Sequence, residues 1–123
     1  LITGVTAFAG SHLADYLLDI VGNVEVHGIK RPRSRDEFIR DGVTYHEADV
    51  TDYVGVWQII NKVKPDYIFH LAAQSFVPLS WQAPAATFNT NVIGTLNILE
   101  AVRDSGNHAI VHLAGSSEEY GLV

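Results

Sequence analysis

The chain has 123 residues, 47% of them hydrophobic and 18% charged, a globular composition long enough for one domain and hardly more. A net charge of -6 argues against a general nucleic-acid binder, and no apolar run approaches the ~20 residues of a membrane span. There is no cysteine, which excludes a disulfide framework and a thiolate metal site; a reducing, cytoplasmic setting is expected.

Leu1-Ile2-Thr3 reads as the end of a first strand, followed by a turn of small residues from Gly4 to Gly10. Leu13, Tyr16, Leu17 and Ile20 recur at helical spacing, so a helix is predicted from Gly10 or Ser11 to Val21, stopped by Gly22. The β-branched run from Val24 to Ile29 predicts a second strand, Lys30 to Asp41 a long basic loop, and Val43 to Ala48 a third strand. A second helix opens at Thr51-Asp52, carries Val54, Trp57, Ile59, Ile60 and Val63 on its apolar face, and closes at Pro65. Asp66 to Leu71 is nearly continuous in apolar character, as buried parallel strands are. Ala72 to Ala83 reads as a loop. From Pro84 a long helix is predicted to Ser105, with Phe88, Val92, Leu96, Leu99 and Val102 on its inner side. Ala109 to Ala114 is a last strand. This order predicts a Rossmann-type doubly wound parallel sheet with helices on both faces, incomplete at both ends. The sequence opens inside a strand and stops at Gly121-Leu122-Val123 without a cap, so it reads as an N-terminal piece of a longer protein.

In such sheets ligands sit outside the C-terminal ends of the strands. Gly4, Ala7 and Gly10 punctuate the first strand-to-helix turn, where a backbone free of side chains can approach a pyrophosphate. The spacing is not the best-known dinucleotide fingerprint, and a glycine-containing turn with no ligand is the alternative. Five of the eight basic residues, Lys30, Arg31, Arg33, Arg35 and Arg40, fall in the loop after the second strand. An NAD site usually places an acidic residue there for the ribose hydroxyl. Lys30 and Arg31 instead suit the extra phosphate of NADP, Arg31 above all, the alternative being a solvated basic loop. His108 and His112 stand four apart on a predicted strand, roughly 13 Å from each other, so no metal site is expected. Trp57 and Trp81 are expected to be packing residues.

Five segments in order carry a resemblance. Thr3 through Gly10 with Ser11-His12-Leu13, Asp49-Val50, His70 through Ser75, Asn91 through Thr95 and Ser116 through Gly121 resemble the extended short-chain dehydrogenase/reductases. Val26 through Arg31, Pro65 through His70 and the Ser-Ser-Glu-Glu-Tyr-Gly segment are similar to GDP-mannose 4,6-dehydratases and to the related GDP-4-dehydro-6-deoxymannose reductases. The resemblance implies that residues 1–123 are a partial NADP-binding domain, the substrate domain being outside this sequence. It implies cofactor contacts at Gly4, Thr6, Ala7, Phe8, Ala9, Gly10, Lys30, Arg31, Asp49, Val50, Leu71, Ala72 and Ala73. Gln74, Ser75 and Ser80 would face a nucleotide-sugar substrate. Ser116 would hydrogen-bond the sugar 4-hydroxyl and Glu118 would remove the C5 proton. Asn91 is either a brace for the active-site strand or a structural asparagine. The family's catalytic tyrosine lies in a YxxxK helix, and no YxxxK occurs here, so Tyr120 is not that residue. The family's middle glycine is Ala7 in this chain, where a methyl would crowd the pyrophosphate or strain the turn. The implied activity is dehydration of GDP-mannose, with a keto-sugar reductase, an epimerase and a non-catalytic NADP-binding module as alternatives. Homodimerisation is expected from the family alone.

Overall fold

The computed structural model describes residues 1–32 and 38–121, the side chain of Glu118 excepted. Five parallel strands form one sheet in the order β3-β2-β1-β4-β5. They are β1 (Ile2–Thr3), β2 (Val26–Lys30), β3 (Val43–Glu47), β4 (Tyr67–His70) and β5 (Ile110–Leu113). In register, Thr3 stands beside Ile29 on one side and His70 on the other, while His70 pairs with Leu113. The chain thus winds outward from β1 in both directions. The C-terminal ends of β1 and β4 flank the point where that direction reverses, which opens a crevice there.

Alternate strand residues feed two separate cores. On one face, Leu1, Ile29 and Ile68 meet Val56, Ile59 and Ile60 of α2 (Tyr53–Val63) and Ile98 and Ala101 of α5 (Gly94–Asp104). On the other, Ile2 and Val26 meet Val5 and Ala14, the latter on α1 (Phe8–Tyr16). Ile60, Ile68 and Ile98 are wholly buried; each such side chain contributes roughly 1.5–3 kcal/mol of transfer free energy.

Several boundaries differ from the sequence reading. α1 starts at Phe8, so Gly10 lies inside its first turn and not at its entrance. A Cβ at Gly10 would stand 2.3 Å from the Gly4 carbonyl oxygen, so only glycine lets the helix settle on β1. The helix widens over Leu17–Val21 into a π turn, closed by Gly22 N–H donating to the Leu17 carbonyl at 2.9 Å. The inner face of α2 is Val56, Ile59 and Ile60 with Trp57 and Val63 packed beside them, as expected except that Val56 replaces the exposed Val54. The expected loop after β4 contains a short helix α3 (Val77–Gln82), with proline in its first turn where no N–H is needed. The long helix is three pieces, α4 (Pro84–Phe88), a π turn (Asn89–Ile93) and α5. Its buried residues are Gly94, Asn97, Ile98 and Ala101, whereas Phe88, Val92, Leu96 and Leu99 are exposed. The core is met by the stripe containing the small Gly94 and Ala101, which allow close approach, and of the expected stripe Val102 packs against it. Trp81 is 84% exposed and packs in no core, contrary to expectation; Trp57 does lean on the first core. No helix among the described residues is long and apolar enough to cross a membrane.

Candidate functional site

Thr3 ends β1 and the backbone turns sharply at Gly4, whose φ of +70° favours glycine. The turn lies against the chain leaving β4, and a Cβ on Gly4 would stand 3.0 Å from the Ala72 nitrogen. A cleft of about 650 Å³ opens above this junction. Its lining joins Gly4, Thr6 and Ala7 of the first turn to Lys30 and Arg31 at the end of β2. Asp49 and Val50 after β3, and Leu71 to Ser75 after β4, complete it with Phe38, Phe76, Leu79 and Thr90.

Phe8, Ala9 and Gly10 do not line this cleft. The reason is the earlier helix start: Phe8 and Ala9 point outward and Gly10 is buried beneath the Gly4 carbonyl. Their backbone N–H groups nevertheless open α1, where helical geometry supplies no acceptors. Ala7 gives α1 no side-chain cap and no acidic residue occupies the first turn, so this end of the helix is chemically suited to an anion. Ala7 itself has φ -94°, so the expected backbone strain at this position is absent. Its methyl remains at the cleft wall.

The basic loop divides. Lys30 is engaged by Glu47 at 3.5 Å. Arg40 turns away from the cleft and pairs with Asp15 and Asp19 of the α1 segment, which hold its pKa above the ordinary value. Arg33 and Arg35 lie outside the described residues. Arg31 is exposed at the cleft rim. Asp49 uses one oxygen, Oδ1, to accept from the backbone N–H and hydroxyl of Thr51, at 2.9 and 2.7 Å. This fixes the turn that presents Asp49 and Val50. Behind it, buried Asn97 donates to the Val50 carbonyl at 2.9 Å.

A second cleft of about 490 Å³ continues from the same β4 loop. Gln74, Ser75, Ser80, Asn91, Thr95, Ser116 and Glu119 are among its walls, so Ser116 comes together with the three polar residues expected to face a substrate. Gln74 is locally committed: its Oε1 accepts the Phe76 N–H at 2.7 Å and its Nε2 donates to the Phe76 carbonyl at 3.0 Å. Ser80 donates to the Val77 carbonyl at 2.6 Å. Asn91 exchanges two bonds with the Gln74 backbone, at 2.7 and 3.0 Å, and so braces the loop after β4. Ser116 precedes a 3-10 turn over Ser117–Tyr120, and its N–H donates to Glu119 Oε1 at 3.3 Å. Glu118 belongs to that turn, and its side chain lies outside the described residues. Tyr120 is exposed.

The sequence reading missed Thr3, His70 and Thr95. Thr3 and His70 are buried polar residues that meet at 2.8 Å, with Thr95 on the other side of the imidazole at 3.1 Å. Burial holds the His70 pKa below its ordinary value. Two polar residues ending otherwise apolar strands were the available signal. Among the described residues, no three His, Asp or Glu side chains converge as a metal site.

A family profile described as GDP-mannose 4,6 dehydratase matches residues 1–123. The chain belongs to the GDP-mannose 4,6-dehydratase family. It is 41% identical over 127 aligned residues to GDP-mannose 4,6-dehydratase sdnI of Sordaria araneosa, covering 98% of this chain and 23% of that protein. It is 39% identical to the GDP-mannose 4,6-dehydratase of Vibrio cholerae serotype O1, covering 100% of this chain and 36% of that protein. The chain therefore spans well under half the length of these relatives. UDP-glucose 4-epimerase of Thermus thermophilus, solved in complex with NAD, shares the fold with a TM-score of 0.78 at 33% identity, over 86% of this chain and 34% of that one. The parallel sheet built here from β1 to β5 is thus the fold shared with that epimerase.

Proposed function

We propose that this chain forms the cofactor half of an NADP-dependent nucleotide-sugar dehydratase that converts GDP-mannose to GDP-4-dehydro-6-deoxymannose. One observation carries the reading: the glycine turn, the cation at the end of β2, Asp49-Val50 and the small residues after β4 all line one cleft at the switch point of the sheet. Family membership and the NAD-bound epimerase neighbour support a dinucleotide as its occupant.

The residues fit such a group. The uncapped start of α1 and the close-packed Gly4 turn suit a pyrophosphate. Arg31 at the rim suits a ribose 2′-phosphate, and Asp49 with Val50 suits the adenosine end. Bound NADP would supply a hydride acceptor at sugar C4 and a hydride donor at C6. Ala72 and Ala73 present little bulk, and Leu71 packs against the second core, leaving room for a flat ring between the two clefts. Ser116 would hold the 4-hydroxyl through a hydrogen bond. A 4-ketone acidifies the C5 proton, and Glu118 would take that proton and return it to the departing C6 hydroxyl as water leaves. Gln74, Ser75 and Ser80 would border the sugar, Gln74 chiefly by shaping the loop. A cytoplasmic homodimer completes the proposal.

The test is an assay of the full-length protein, including all sequence beyond this chain, with NADP and GDP-mannose. A 4-keto, 6-deoxy product is expected. Absence of that product with competent NADP binding refutes the dehydratase reading, and an NADPH-dependent reduction of the keto-sugar replaces it with a reductase. Arg31→Ala is expected to weaken NADP about tenfold or more while leaving NAD unchanged, as loss of one charge-assisted phosphate contact does. Equal effects on both cofactors refute the 2′-phosphate assignment.

A further inference from the structure

Along the floor of the second cleft runs a series of hydroxyl, imidazole and amide groups, buried at Thr3 and His70 and half-buried at Thr95 and Asn91, whose proton positions follow from valence. The Thr3 oxygen accepts the N–H of Leu71 and the N–H of Ala72, each at 3.1 Å. A hydroxyl has two acceptor lone pairs and one proton. Both acceptor places are filled, so the Thr3 proton goes to its remaining neighbour, Nδ1 of His70, at 2.8 Å. Nδ1 is therefore an acceptor. At the other edge of the ring, Thr95 donates its hydroxyl to the Asn91 carbonyl at 2.7 Å. Its oxygen is left to accept from Nε2 of His70 at 3.1 Å. The two ends, taken independently, require the same neutral Nε2–H tautomer.

We propose that His70 is a positioning residue which, as the neutral Nε2–H tautomer, ties the Leu71–Ala72 turn to β1 and α5, and that its protonation releases this turn. The proposal deepens the reading of the first cleft as a dinucleotide site, and its consequence for affinity rests on that reading. A second proton has to enter at Nδ1, facing a threonine oxygen that already accepts two N–H bonds. Thr3 would then have to drop Leu71 or Ala72, and its own proton would lose its acceptor in a place fully closed to water. The ring's own partners are Thr3 of β1 and Thr95 of α5, while Leu113 of β5 is the strand neighbour of His70 and Asn91 of the π turn accepts from Thr95. Among the described residues, Glu119 is the other titratable group lining the second cleft. Burial disfavours the imidazolium.

The experiment uses the ligand-free, full-length protein with nitrogen-15 histidine and amide labels. At neutral pH the His70 spectrum is expected to show a bare Nδ1 and a protonated Nε2. On acidification, hydrogen-exchange protection of the Leu71 and Ala72 amides should fall about tenfold on the same titration that protonates His70, while Ile68 stays protected. His70→Asn puts an uncharged carbonyl near the place of Nδ1; it should keep protection at neutral pH and lose the acid step. Thr3→Ser retains the hydroxyl and should retain the step, which provides the second variant should His70→Asn fail to fold. A protonated Nδ1 at neutral pH, an acid step that survives in His70→Asn, or protection indifferent to His70 titration overturns the proposal. NADP affinity measured on the same samples should fall with the amide step. A protein that shows the tautomer and the amide step but binds no NADP sustains the role of His70 and refutes the dinucleotide reading instead.

Discussion

Replacing Gly10 by alanine tests how α1 is seated on the sheet. The added Cβ would lie 2.3 Å from the Gly4 oxygen, 2.8 Å from the Val5 Cα and 2.9 Å from the Gly4 carbonyl carbon. All three are backbone atoms, so no rotamer change relieves the contact. An ordinary carbon–oxygen contact is about 3.3 Å, and α1 must therefore lift by roughly 1 Å or β1 must yield. Forced shifts of this kind cost about 1–3 kcal/mol, and a clash with immovable atoms on both sides belongs near the upper figure. For a chain of this size that corresponds to a fall in Tm of about 8–12 °C. The natural control is Gly55→Ala, whose nearest obstacle is the Asp52 carboxylate at 2.7 Å, the end of an exposed side chain that can swing away. Urea denaturation followed by tryptophan fluorescence would measure both variants. Gly10→Ala within about 0.5 kcal/mol of the parent, or no more costly than Gly55→Ala, would show that the helix seat is not set by this contact. Because the same lift moves the first N–H groups of α1, NADP affinity should fall alongside stability.

Ala7→Gly removes a methyl at the cleft wall while the backbone there needs no special φ; NADP titration should show tighter binding, and equal or weaker binding rejects crowding by Ala7. Asn97→Leu leaves the Val50 carbonyl without its 2.9 Å donor, so denaturation should report a loss of about 1–3 kcal/mol. Acid should destabilise the protein through His46 and His70, both held below the ordinary value of 6.5, His46 by burial and then by the charges of His27 and Lys62, His70 by burial. The unfolded chain binds these protons first, so their contribution is complete above pH 6.5 and is lost as the pH falls through the folded values. The limiting slope is about 1.4 kcal/mol per pH unit for a fully buried group, and less for the half-exposed His46. A denaturation midpoint that stays level or rises between about pH 6.5 and 5.5 contradicts this.

The sequence by itself determined the alternation of strands and helices, because apolar period and glycine or proline punctuation are local properties of the chain. It also identified the segments that reach one cleft: Gly4 to Ala7, Lys30-Arg31, Asp49-Val50 and Leu71 to Ala73 each follow a strand, and in a parallel sheet all strand ends emerge on the same side. Which stripe of α5 faces the sheet was decided by tertiary packing. Phe88, Val92, Leu96 and Leu99 are more apolar than the stripe through Gly94, Asn97 and Ala101, yet only the latter combines small side chains with a donor for the Val50 carbonyl. The fate of Arg40 was also tertiary, since its partners Asp15 and Asp19 stand far away in sequence on the α1 segment. The pairing of Thr3 with His70 was settled in the same way: residues 67 positions apart become neighbours when β1 pairs with β4, and no local pattern encodes that contact.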